Sequence, residues 1–99
     1  MDKPTWGEMV ELYQGAFVLS QELPRATRQF FRRMLRGLFW RIGEREANSA
    51  GVKINDNLED RLFGVQLSLE SQEDFCRMVC LVSCYGFANV IIHDDRIVA

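Results

Sequence analysis

Three groups of side chains in this chain are of types that could carry chemistry or recognition. They are His93-Asp94-Asp95, the cysteines Cys76, Cys80 and Cys84, and the arginines of LPRATRQFFRRMLRGLFWRIGERE, residues 23–46. A histidine beside two carboxylates could hold a metal ion or move a proton. Two adjacent acids between short β-branched segments, however, read as an exposed turn, and no serine or cysteine pairs recognisably with the histidine. The cysteines recur every four residues and so share one stripe of a helix. Three thiolates spread along such a stripe cannot converge on one ion, and disulfides within a helix are geometrically poor at this spacing. The expectation is that the cysteines are buried and let another element approach closely. The sequence shows no phosphate loop and no catalytic motif, so the reading is of a non-enzyme without cofactor or metal.

The arginine segment is the more informative group. It holds seven of the ten arginines against Glu44 and Glu46, a local charge of +5, whereas the whole chain carries −2, which leaves −7 for the remainder. Such asymmetry steers encounters with anionic partners. Projected on a helix, Arg25, Arg32, Arg33 and Arg36 lie away from an apolar arc of Phe31, Met34, Leu35, Leu38, Phe39 and Ile42, and Trp40 falls beside Arg33 and Arg36 rather than in the arc. A large aromatic ringed by guanidinium groups has the composition of an interface anchor. The candidate partner-binding residues are therefore Arg25, Arg32, Arg33, Arg36 and Trp40. Arginine suits planar recognition of carboxylate or phosphate, so an acidic protein surface and a nucleic acid are both candidates. An isoelectric point near 5.3 favours the protein, since nucleic-acid-binding domains are commonly basic overall.

The elements that must position these groups follow from periodicity. Thr5 and Glu8 form a capping-box pattern, after which Trp6, Met9, Val10, Tyr13, Ala16 and Phe17 recur at helical spacing, predicting a helix over 6–19. Ser20 is placed to cap a second helix, with Pro24 in its first turn, continuing to about residue 47 and antiparallel to the first. Val52 and Ile54 alternate before a turn at Asn55-Asp56-Asn57, and Phe63, Val65, Leu67 and Leu69 alternate strictly with polar or small residues, as in a strand with one buried face. Ser71 with Asp74 suggests a further cap, leading into a helix with Phe75, Met78, Val79, Val82 and Tyr85 on one face and Gly86 at its end. NVIIHDDRIVA then reads as two short strands around Asp94-Asp95.

The expected architecture is α+β: one domain over 1–99, with an N-terminal antiparallel helix pair packed on a small antiparallel sheet and one further crossing helix. An all-α alternative rests on VELYQGAF (residues 10–17), the long arginine-rich helix and DFCRMVCLVSCYG (residues 74–86), which together resemble the helix pairs of tetratricopeptide-like domains, including the bacterial transcriptional activator domain. That resemblance implies stacked helical hairpins. The alternation from Phe63 to Leu69 and the β-branched Val90, Ile91 and Ile92 argue for the sheet.

Apolar and charged fractions of 47% and 26% are those of a soluble globule and exclude a disordered chain. No apolar run is long enough to span a bilayer, and MDKPTWGEM lacks the order of a secretion signal. Three cysteines within nine residues make no disulfide framework. The expected protein is a small cytoplasmic interaction module, an adaptor, regulator or stoichiometric inhibitor that binds an acidic partner through its arginine and tryptophan face. The alternative is a nucleic-acid-binding regulator using the same face. Self-association is expected, if at all, as a homodimer through an edge strand at Arg96-Ile97-Val98 in preference to one through the Trp40 face, where two arginine faces would repel, with a monomer awaiting a different partner as the alternative.

Overall fold

A computed structural model describes residues 3–53, 62 and 64–87 of the chain. The first helix, α1, spans Trp6–Leu19, and the Thr5 hydroxyl accepts the Glu8 amide at 3.3 Å, as its capping pattern predicts. A single 3-10 turn at Ser20–Glu22 follows. Ser20 does not cap the second helix: it closes the first, its buried hydroxyl donating back to the Phe17 carbonyl. The second helix, α2, runs Arg25–Ala50, starts directly after Pro24 and ends where Gly51 takes a φ of 69°. Only a residue tolerant of the left-handed region serves there, and the Val52 amide then reaches back to the Ala47 carbonyl. ANSAG is thus the last turn and cap of α2, not the start of a sheet region.

The third helix, α3, spans Leu69–Cys84. Its cap is Ser68, three residues before the expected Ser71: the Ser68 hydroxyl accepts the Ser71 amide, and the Ser68 amide itself donates to Glu46 Oε1 at 2.7 Å. Gly86, at a φ of 80°, ends the helix as expected, with its amide donating to the Ser83 carbonyl.

The α+β expectation is overturned. Among the described residues there are three helices and no strand, and the alternating stretch forms one isolated antiparallel bridge, Thr5 with Gln66. Two backbone bonds hold it: the Trp6 amide donates to the Val65 carbonyl, and the Leu67 amide to the Pro4 carbonyl. Leu67 is buried in the core, but Val65 is half exposed and Leu69, three quarters exposed, already belongs to α3. The alternation therefore marks a short extended segment that seats one leucine before a helix cap. The suggested strand at Ile54 and the hairpin at residues 89–99, with His93, Asp94, Asp95 and the edge segment proposed for a dimer, lie outside the described residues.

α2 is the central element. Trp6 at the start of α1 packs on Phe39 and Gly43, whereas Phe17 near its end meets Arg32 and Arg36, so α1 runs antiparallel to α2. Asp74 near the start of α3 meets Arg41 and Arg45, whereas Tyr85 just beyond its end meets Phe31, so α3 is antiparallel to α2 as well. Phe31, Leu35 and Ile42 of α2, fully buried, close the core with Trp6, Met9, Leu12 and Ala16 of α1 and Met78 and Val82 of α3. Met34, assigned to this arc from the sequence, instead projects outward and is 46% exposed. No helix among the described residues is long and apolar enough to cross a membrane.

Candidate functional site

Four of the five candidate residues, Arg25, Arg33, Arg36 and Trp40, are exposed on α2. Trp40 is 57% exposed, so its ring is not a lid on the core. Arg32 is different. Its Nε donates to the Ser20 hydroxyl at 2.6 Å, its Nη2 donates to the Phe17 carbonyl, and its guanidinium lies 4.2 Å from the Phe17 ring centroid. A cation that donates to the Phe17 carbonyl in the last turn of α1 complements the negative end of that helix and ties α1 to α2. Arg32 is a structural residue, and Arg36, 5.8 Å from the same ring, borders the face rather than forming its centre.

The face is larger than the sequence reading made it. Phe30 and Met34, 54% and 46% exposed, stand one turn apart on the outer side of α2, Phe30 one turn before Arg33 and Met34 one turn before Gly37. Phe30-Phe31 is a doublet about 100° apart around the helix, so burying Phe31 turns Phe30 outward. That doublet was the available signal. Between Phe30 and Met34 on one side and Trp40 on the other sits Gly37, where an added Cβ would meet nothing within 4 Å. A mid-helix glycine costs roughly 0.5–1 kcal/mol against alanine, and nothing among the described residues requires it. Gly43 contrasts with it, since a Cβ there would come within 3.0 Å of the Trp6 ring.

Charge on the face is uneven. Among the described residues no carboxylate lies within ion-pair distance of Arg25, Arg33 or Arg36, whereas Arg41, Arg45 and Arg77 are drawn to Asp74. Arg45 Nη1 stands 2.9 Å from Asp74 Oδ2 without the alignment of a hydrogen bond and donates to the Ser71 hydroxyl. This second cluster binds α3 to α2 and is a structural network.

The cysteine expectation is corrected. Cys76, Cys80 and Cys84 are free and exposed, on the side of α3 away from Met78 and Val82. Among the described residues no element covers that stripe, and no group of three His, Cys, Asp or Glu is arranged to hold a metal ion. A thiol-reactive dye is expected to label all three in the native protein at rates near those in denaturant. Protection of two or more would show the outer side of α3 to be covered.

Compared with protein-family models, with curated proteins and with solved structures, the chain matches none. The resemblance to tetratricopeptide-like pairs thus gains no family support, although the helical class it implied is the one the described residues adopt.

Proposed function

We propose that the protein is a small cytoplasmic interaction module, without catalytic activity of its own, that binds an acidic surface of another protein through Arg25, Arg33, Arg36 and Trp40. The observation that carries this reading is the exposure of Trp40 beside Arg33 and Arg36, which have no carboxylate within ion-pair distance among the described residues. An exposed indole on a rigid helix loses little conformational entropy on burial, and guanidinium groups around it recognise carboxylates bidentately. An adaptor, a regulator or a stoichiometric inhibitor would use such a face in the same way.

Affinity capture with wild type and Trp40→Ala tests the proposal. A partner retained by wild type and lost from the variant at unchanged thermal stability is the expected result. Duplex DNA or RNA is the competing ligand. Tight binding of either at physiological salt, abolished in an Arg25, Arg33, Arg36 triple alanine variant, would replace the protein reading with the nucleic-acid one. Arg32 is left intact in that variant because its loss would disturb the end of α1.

A further inference from the structure

We infer that the segment received by this face is an acidic amphipathic helix, lying along α2 with its closest approach at Gly37. The inference rests on the proposed protein-binding role and specifies its partner. Phe30, Met34 and Trp40 are all about half exposed on the outer side of α2, with Gly37 and Arg33 between them and Arg36 at the margin beyond Trp40. The ten residue steps from Phe30 to Trp40 cover about 15 Å of helix axis, the length of roughly three turns of a second helix. Because the backbone of α2 is internally hydrogen-bonded, the face offers no backbone donors or acceptors to an added strand. It offers a ridge, a gap and a ridge, which is the relief that the side chains of another helix fill.

Gly37 is the second and independent observation. Its lack of a side chain leaves a notch that no neighbour among the described residues uses, and a glycine permits close approach of another backbone. Charge selects among occupants. A second copy would set Arg33 and Arg36 of one α2 near those of another, whereas a helix with aspartate or glutamate beside its apolar stripe supplies the missing carboxylates.

The probe is a fluorescein-labelled 18-residue peptide with leucines at helical spacing on one face and glutamates on the others, compared with a peptide of the same composition in an order that destroys the stripe. The amphipathic peptide is expected to bind at least about tenfold more tightly and to gain helicity on binding, and Trp40 emission should shift to the blue while buried Trp6 reports little. Gly37→Leu should weaken binding by about tenfold or more by filling the notch, with melting temperature maintained or raised because the site is open. Equal binding of the two peptides, or full binding by Gly37→Leu, would overturn the helix inference while leaving an acidic partner possible at the arginines. Undiminished binding by Arg33→Glu/Arg36→Glu would overturn the charge-based reading itself. Failure of the amphipathic peptide to bind at all, or concentration-dependent dimerisation of the free protein lost in Gly37→Leu, would also overturn the inference, the latter in favour of a second copy.

Discussion

Trp6→Ala is expected to lower the unfolding free energy by about 3–5 kcal/mol, the range for removing a fully buried large aromatic. Trp6 is 1% exposed and stands where three parts of the chain meet. Its ring lies over Gly43 and 5.8 Å from that of Phe39, and its amide donates to the Val65 carbonyl, tying α1 both to α2 and to the extended segment before α3. The indole Nε1 has no hydrogen-bond partner among the described residues, and a buried donor left unpaired is unfavourable. Trp6→Phe should therefore cost distinctly less than Trp6→Ala, since it keeps most of the ring and removes the orphan donor. Gly43→Ala completes the comparison. In an open helix that change stabilises by roughly 0.5–1 kcal/mol, but the 3.0 Å approach of the Trp6 ring should cancel or reverse the gain. Urea unfolding measures all three, and a loss below about 1 kcal/mol for Trp6→Ala would show that the ring does not fill the core.

Much of this junction was readable from the sequence. Thr5, Glu8 and the 3.6-residue recurrence from Trp6 to Phe17 act locally, and they place α1 at Trp6–Leu19 as predicted. Gly86 likewise marks the end of α3 because a left-handed residue is a local requirement. The sheet reading failed for a local reason too. Phe63, Val65, Leu67 and Leu69 alternate through a helix cap, so a period of two was counted across Ser68, where extended backbone gives way to α3. Ser68 and Ser71 are both plausible caps on type alone. The choice fell to Ser68 because its amide meets Glu46, a contact between residues 22 apart that no local pattern carries.

The site was legible in outline and wrong in two details. Helical projection placed Trp40 and Arg33 away from the core without knowledge of what lies on the far side of α2. It could not show that the end of α1 would bring the Phe17 carbonyl and the Ser20 hydroxyl to Arg32, nor that the core would centre on Leu35 and turn Met34 outward. The cysteine stripe failed in the opposite sense. A small apolar row on a helix predicts a covering element, whereas cysteine side chains are small enough to stand in water without forming a large apolar patch.

Asp74→Ala is expected to cost about 3 kcal/mol, the lower end of the 3–5 kcal/mol seen when one partner of a buried ion pair is removed. The carboxylate is 2% exposed and three arginines converge on it: Arg45 and Arg41 from α2, and Arg77 from the next turn of α3. The lower end applies because Arg41 and Arg77 are 59% and 61% exposed and can return to water when the acid is lost, leaving Arg45, 26% exposed, as the only confined charge. Arg45 still reaches Glu70 at 3.3 Å and the Ser71 hydroxyl, which softens the loss further. Arg45→Ala should therefore be as damaging as Asp74→Ala, because it strands the buried carboxylate with two mobile cations. Arg77→Ala should cost less than Arg45→Ala, because the Arg77 guanidinium is itself 61% exposed and Arg45 and Arg41 remain beside the carboxylate. The double variant Asp74→Ala/Arg45→Ala should lose clearly less than the sum of the single losses, since either change alone breaks the same link between α2 and α3. Additive losses in the double-mutant cycle would show that Asp74 and Arg45 act separately and that α3 is held to α2 by its apolar side, Met78 and Val82, alone.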